Sequence, residues 1–588
     1  MTVSSAAEAG RGTRRKVLLW VGITALVLGA LFAGLAYSWM QTYQSARTVQ
    51  SSATTLKSAA LGHQWNQLPG LFTLIRPEVQ QLSDSTQGLP WRLLSMVPFV
   101  GTTASAVTDL AVSLDEVLAA AEPLIPQAEQ VIETRLRDAD GRFDLSALQG
   151  TSPDLLALST SLESAAGRLS PIDTDRLLPQ VAEVITELRD LTAQSWQPVR
   201  VVSELAKWGP SLFGENGART WLVMLQNPAE ARGSGGFPGG YVVVRAEGGR
   251  LRVASTGSSA DLTLTPIPTG SAPADSKAMW GNRLKAWNTF NHSANFPFVA
   301  RLAADGMAAQ GQAVDGVIAI DPRVVAALLA VTGPVSAEGA TIDSENAERF
   351  FTVDVYSKYR DPHKRDDISM ALVREMIAKL LTGAWDPIAL VDALSGPISQ
   401  GHARIWSARP AEEAWFAGTI AGGEVPNAPG PVLALALNNS SASKMDAFMK
   451  TSVDYRPGSC DAPMMDSTLR VSLVNASPAK LPFGLGIYDR SDDSSAPKGS
   501  TSTVLYVYAP VDARFNSVTI DGAPSSLYLG HENGRAVWYT YLPINRDQQR
   551  TVEIKFQQPV VADVAPQVLM QSMVIDPEIS IDPSSACS

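Results

Sequence analysis

The chain has 588 residues, room for several folding units at roughly 100–200 residues each. Hydrophobic residues make up 45% and charged residues 18%, a globular composition that excludes wholesale disorder. A net charge of -11 argues against a nucleic-acid partner, and two cysteines exclude a disulfide-dense scaffold or a cysteine-rich zinc module.

The N-terminus predicts the compartment. Arg11, Arg14, Arg15 and Lys16 precede an apolar run from Val17 to about Tyr37, and no charged residue occurs between Lys16 and Arg47. About 20 apolar residues cross a bilayer as a helix, whereas a signal peptide's apolar region is roughly 7–15. Tyr37, Trp39 and Met40 are bulky where a cleavage site needs small residues. Residues 1–16 therefore read as a cytoplasmic basic tail and 17–40 as an uncleaved signal anchor. The chain is expected to be a single-pass cell-membrane protein with its bulk outside. A cleaved signal is the alternative.

Residues 41–207 read as helical. Val107, Leu110, Leu114, Val117, Leu118 and Ala121 recur at three- and four-residue steps, as do Leu178, Val181, Ile185 and Leu188. A stalk or bundle follows, with residues 150–153 as a loop. Residues 208–450 alternate strands and helices, which predicts an α/β sandwich. Thr220–Gln226 fits a buried strand, and Tyr241–Val244 and Leu251–Val253 fit two more, joined by a turn at Glu247-Gly248-Gly249. Val314–Ile320 reads as a central strand. Asp321 and Pro322 then open a helix ending near Gly333, and Asp366 or Asp367 is expected to cap another. Residues 451–588 change to period two, with turn signals at Asp521-Gly522 and Asn533-Gly534, and predict an antiparallel β module. The fold class is thus α+β multidomain.

Chemistry has three candidate seats. Gly233-Ser234-Gly235-Gly236-Phe237-Pro238-Gly239-Gly240 is either an anion cradle of backbone N–H groups, with Arg232 at its entrance, or a wide turn with Phe237 in the core. It lacks the lysine and following helix of a P-loop. Tyr359–Asp367, with Arg374 beyond it, mixes arginines and carboxylates. That suits either a pyrophosphate–magnesium site or a solvated loop. Asp261, Arg283, Asn288, Asn291, Asn295 and Arg301 are interspersed with Trp280, Trp287, Phe290, Phe296 and Phe298. This mixture suits sugar faces, or a surface loop with a small core of its own. The five histidines are scattered, without HExxH, and no Gly-x-Ser-x-Gly elbow occurs.

Gln226-Asn227-Pro228-Ala229-Glu230-Ala231-Arg232, followed by Gly235-Gly236-Phe237 and Gly240-Tyr241, resembles the signature of the bacterial envelope family known as domain of unknown function 4012. Pro98–Gly101, Val314–Pro322 and Asn438–Lys444 fit the same layout. Pro228 and Pro238 depart from it. The order of segments is also similar to the LytR-CpsA-Psr ligases, which attach lipid-pyrophosphate-linked glycopolymers to peptidoglycan. That resemblance implies a polyprenyl-pyrophosphate glycan as partner and Mg²⁺ as cofactor. Asp261, Asp366 and Asp367 would be the catalytic carboxylates, with Asp366 and Asp367 on the metal. Arg232, Gly235, Gly236, Arg360, Arg365 and Arg374 would contact substrate. The ligases' own Arg-Ser-Asp is replaced here by Gly235-Gly236-Phe237, and no arginine lies in Thr256–Asp261. The alternative is a non-enzymatic envelope scaffold or glycan- or partner-binding protein. An oxidising exterior further predicts a disulfide between Cys460 and Cys587.

Overall fold

A computed structural model describes residues 67–582, except 98–99, 128–140, 146–148, 384, 461, 483, 486–494 and 563. The expected span 17–40 lies outside the described residues. Among the described residues no helix is long and apolar enough to cross a membrane. The chain forms two compact units, Met1–Leu212 and Phe213–Ser588.

The first unit is helical. It comprises α1 (Leu68–Thr86), α2 (Leu89–Leu94), α3 (Gly101–Ala121), α4 (Ser152–Leu169) and α5 (Pro179–Leu212). The predicted stripe pairs α1 with α3: Ile75 and Val79 are buried against Leu114 and Leu118. The Arg168 guanidinium ties α4 to α3 through both oxygens of Glu116, at 3.0 and 3.1 Å. Ser203 of α5 donates to the Ser152 carbonyl of α4 at 2.9 Å. The loop expected at 150–153 is shorter than that. Pro153 already sits in the first turn of α4, where its missing N–H costs nothing.

The second unit opens with β1 (Arg219–Arg232), β2 (Gly235–Glu247) and β3 (Arg250–Ser258). With β4 (Gly316–Ile320) and β7 (Ala403–Ser407) they form a sheet ordered β3-β2-β1-β4-β7. β1 and β4 run parallel, and the other pairs are antiparallel. Alternation along β1 sends Leu222 and Met224 to one face and Val223 and Leu225 to the other. The first face packs on α6 (Ala274–Trp280), α7 (Phe296–Ala309) and the buried rings of Trp280, Trp287, Phe290 and Phe296. These aromatics therefore belong to the main core, not to a separate surface loop. Each such fully buried side chain contributes about 1.5–3 kcal/mol of burial free energy. The second face meets α9 (Pro362–Thr382) through Met370 and Val373. Further elements here include α8 (Pro322–Thr332), the small hairpin β5 (Val335–Ala337) and β6 (Ala340–Ile342), a run of short helical turns from Ala347 to Lys358, α10 (Pro387–Ser399) and α11 (Pro410–Ala417).

Asp321 caps α8 as expected, accepting from the Arg323 N–H at 3.0 Å. The cap of α9 is Asp361, which accepts from the His363 N–H at 3.0 Å. Asp366 and Asp367 lie one turn inside. Pro362 explains the difference, because proline at the first helical position puts the cap one residue before it. The glycine segment is not a loop either. β1 and β2 form a hairpin whose ladder runs through Asn227↔Phe237, Ala231↔Gly236 and Arg232↔Gly235. Residues 228–230 bulge out of β1, and Pro228 fits there because a bulge needs no ladder N–H. Gly235 has φ 135°, open to glycine alone. A Cβ on Gly236 would lie 2.1 Å from the Asn227 carbonyl carbon.

The β module is a two-sheet sandwich, mostly antiparallel as expected. One sheet is ordered β14-β15-β11-β8-β17, the other β13-β12-β16-β10-β9-β18. The strands are β8 (Val432–Asn439), β9 (Met449–Arg456), β10 (Met464–Asn475), β11 (Thr501–Tyr508), β12 (Arg514–Ile520), β13 (Ala523–Pro524), β14 (Tyr528–Glu532), β15 (Arg535–Ile544), β16 (Gln549–Pro559), β17 (Gln567–Met570) and β18 (Glu578–Ile581). β8 and the start of β9 precede residue 450, so the sandwich begins earlier than the period change. Leu435, Leu437, Leu505 and Trp538 fill the space between the sheets. Ala434, Ala436, Tyr506 and Val537, on the opposite face of the same strands, join the α/β core. Cys460 is disulfide-bonded, and Cys587 lies outside the described residues.

Candidate functional site

In α/β sheets, ligands sit beyond the carboxyl ends of parallel strands. Here the parallel pairing of β1 with β4 ends at Leu225 and Ile320. A cavity of about 680 Å³ opens there. The β1–β2 hairpin forms one wall through Leu225, Arg232, Phe237 and Gly240, and α9 forms another through Arg365, Met370 and Val373. Phe351, Val355 and Tyr356 close the apolar side, while Ser258 and Asp366 mark a polar rim.

A buried ionic cluster forms the head of the cavity. Glu230, projected by the β1 bulge, accepts from Arg232 Nη2 at 2.6 Å and from Lys444 Nζ. Lys444 lies 4.7 Å from the Phe237 ring centroid and 5.4 Å from that of Tyr356. Burial opposes ionisation of Glu230, but Lys444 and Arg232 outweigh it and hold its carboxyl below the usual range. Burial likewise opposes the charge of Lys444, and Glu230 more than restores it. Behind them Asp446 accepts from the Ala231 N–H and from Asn439 Nδ2, both at 2.8 Å. Its burial raises the carboxyl to about 6. Burial, assisted by the Arg232 charge, lowers His292 on the same wall to about 3, so its ring is neutral. Asn227 joins the hairpin to the opposite wall, donating to the Phe351 carbonyl at 3.0 Å and to Tyr356 Oη at 2.9 Å.

The cavity gathers some of the expected residues and leaves others out. Arg232, Arg365 and Asp366 line it, as do Gly239 and Gly240. Arg365 stands 5.2 Å from the Tyr356 ring centroid and makes no salt bridge among the described residues. Asp366 accepts from Ser258 Oγ at 3.3 Å, and partial burial raises its carboxyl. Gly235 and Gly236 serve hairpin packing and do not reach the cavity. Asp261 is occupied in a capping box, accepting from the Ser258 N–H at 2.9 Å. Arg360 and Asp367 are exposed and away from the wall. Arg374 reaches Thr256 Oγ1 of β3 at 3.4 Å instead. No local sequence pattern marks Glu230, His292, Tyr356 or Lys444 as a site residue. Glu230 and Lys444 nevertheless sit inside the two signature segments, which was the available signal.

Asp366 and Asp367 do not fit a shared magnesium ion. Successive residues of an α-helix point about 100° apart, and only Asp366 faces the cavity. Among the described residues no group of three His, Cys, Asp or Glu side chains comes together around a metal position.

The site is thus a largely apolar cavity with a charged head, set between an α/β sandwich and a β sandwich. Residues 216–356 match the family model described as "Protein of unknown function (DUF4012)", which supports the family the signature indicates. No curated protein matches the chain. Two solved structures do so over short stretches. One is described as a nutrient-binding protein from Legionella pneumophila, at 8% identity and TM-score 0.16, over 23% of this chain and 46% of that one. The other is a two-domain M1 zinc metallopeptidase mutant bound to L-arginine, at 10% identity and TM-score 0.11, over 20% of this chain and 21% of that one. The chain spans less than half the length of either, and likeness this low carries no argument. The similarity to LytR-CpsA-Psr ligases rests on the sequence alone.

Proposed function

We propose that this chain is a membrane-anchored envelope protein that binds an amphipathic, phosphate-bearing lipid in the cavity between the β1–β2 hairpin and α9. The observation that carries this reading is Arg365: a cation on the wall of a largely apolar cavity, stacked on Tyr356 and, unlike Arg232 and Lys444 at its head, in no salt bridge with a described carboxylate. A guanidinium is a planar fork for phosphate oxygens. Leu225, Phe351, Val355, Met370 and Val373 offer a dry surface for a hydrocarbon chain. The N-terminal apolar segment brings the substrate's phase within reach. A lipid-pyrophosphate-linked glycan is the candidate that the sequence resemblance adds.

The test is binding of polyprenyl pyrophosphate, the matching prenol and inorganic pyrophosphate to the full chain in detergent. The lipid pyrophosphate should bind most tightly. Arg365→Ala should weaken it about tenfold, the cost of one charge-assisted contact, and leave prenol binding unchanged. Equal affinity for all three probes, or no binding, overturns the reading.

Asp366 favours a second reading, transfer of the glycan. Its carboxyl is raised and it lies on the rim beside Arg365, where a general base would meet an acceptor hydroxyl. Release of labelled lipid pyrophosphate in the presence of peptidoglycan, abolished in Asp366→Asn, would support it. Binding without turnover would leave the non-enzymatic role.

A further inference from the structure

The turn joining α1 to α3 carries apolar side chains that the fold leaves uncovered. Leu89 is 75% exposed, Met96 78% and Leu93 50%, and Val97 and Val100 are exposed too. Elsewhere in the helical unit exposed apolar residues are sparser: Leu74, Leu156, Leu178 and Leu191 are isolated along the chain, and Leu205 has one such neighbour a turn away. The turn itself is firmly built. Trp91 is buried as its root. Ser95 N–H donates to the Trp91 carbonyl at 2.9 Å and Gly101 N–H to the Val97 carbonyl at 2.8 Å. A Cβ on Gly101 would lie 2.1 Å from the Ser95 oxygen, so the chain returns this closely only through glycine. Apolar side chains held outward on a braced turn form a wedge.

We propose that this turn inserts into the headgroup layer of the membrane in which the chain is anchored; the proposal rests on the anchor reading. Charge selects lipid as the occupant. Between Asp84 and Asp109 the sole charged side chain is Arg92, in a protein of net charge -11. A carboxylate-free segment with one arginine suits an anionic lipid surface, where the guanidinium stays at headgroup level while Leu and Met enter the acyl boundary. A protein interface would instead carry a polar, hydrogen-bonding rim. Reach is sufficient. Residues 41–67 precede α1 and can extend about 3.3–3.6 Å each, several times the roughly 28 Å length of a 19-residue helix. The end of α1 that bears the turn can therefore touch the bilayer.

The experiment uses the full chain reconstituted in phosphatidylethanolamine–phosphatidylglycerol vesicles. Met96→Cys introduces a labelling site for an environment-sensitive fluorophore. Among the described residues no cysteine is free, and the parent chain treated with the same fluorophore gives the background against which Met96→Cys is read. Leu89→Cys gives a second position, and Leu178→Cys, also exposed, is the control. The chain should float with the vesicles, and probes at 96 and 89 should shift to the blue and be quenched about twofold by brominated acyl chains, as interfacial insertion requires. The probe at 178 should not respond. Flotation with unquenched, water-like probes at 96 and 89 overturns the inference and leaves the anchor intact. A blue shift without bromolipid quenching assigns the patch to a protein partner such as a second copy, and also overturns it. A chain that does not float overturns both readings.

Discussion

Lys444 and Glu230, 214 positions apart in the chain, meet as an ion pair at the head of the cavity. The bulge in β1 projects Glu230, and the segment after β8 delivers Lys444. Neither charge would be tolerated alone at this depth, because burial works against both. Lys444→Met removes one of the two cations on Glu230, leaving Arg232, and should therefore cost about 1–3 kcal/mol, the usual penalty for taking one partner from a buried polar group. The double variant with Glu230→Gln should recover part of it. Urea denaturation of the three chains checks this, and a single-variant loss below about 1 kcal/mol would remove the pair's structural role.

Two buried groups behind that pair make stability depend on pH in opposite senses. His292 is lowered from 6.5 to about 3, so its contribution is complete above pH 6.5 and lost as pH falls toward 3. Asp446 is raised from 3.8 to about 6, so its contribution is complete below 3.8 and lost as pH rises through 6. The two windows are worth on the order of 5 and 3 kcal/mol at most, respectively. His292→Gln should flatten the acid limb of the stability profile and Asp446→Asn the limb toward neutrality. Parallel profiles for both variants and the parent would refute the assignment.

Gly236→Ala should be severely destabilising. The new methyl would meet Asn227 backbone, not a side chain that can swing away. A loss of about 2–4 kcal/mol is expected, read as a lowered melting temperature. An unchanged melting temperature would mean that the hairpin relaxes at no cost.

Arg365 and Arg374 lie nine positions apart on α9 but should behave differently. Arg365 lines the cavity, whereas Arg374 contacts Thr256 on the exposed side of β3. Arg374→Ala should change polyprenyl-pyrophosphate affinity by less than about twofold, since an exposed contact outside the cavity contributes little. A loss as large as that of Arg365→Ala would move the binding surface out of the cavity.

Reduction should loosen the β sandwich. Cys460 is disulfide-bonded just beyond β9, and Cys460→Ser should lower stability by about 2–4 kcal/mol. Melting with and without reductant should differ for the parent and coincide for the variant.

The strands of the sandwich were legible because period-two runs end in strong turn signals. Asp521 and Asn533 do adopt positive φ, at 53° and 52°, before their glycines. The helix after β4 was legible from Asp321-Pro322, and the same Asp-Pro signal at residues 361–362 should have outweighed the later aspartates. The glycine segment misled because glycine marks close approach as readily as a loop. Its neighbour in space, Asn227, is set by strand register that no local pattern reports. Arg365 and Asp366 stood out as a charge run. His292 and Lys444 did not, since burial is a property of the whole fold, and a lone lysine reads as surface until its carboxylate partner is known.

The last strands have a bearing on how the chain matures. β17 pairs in parallel with β8 and β18 with β9, so residues 567–581 supply an outer strand to each sheet of the sandwich. Between those strands Asp576 clasps Arg323, at the start of α8, at 2.6 Å. A chain emerging N-terminus first exposes two unpaired strand edges until these residues arrive. The cavity's rear wall, hung from β8, stays open over the same interval. Protection from proteolysis should therefore come late and all at once, and chains ending before residue 567 should be the ones that aggregate or are cleared.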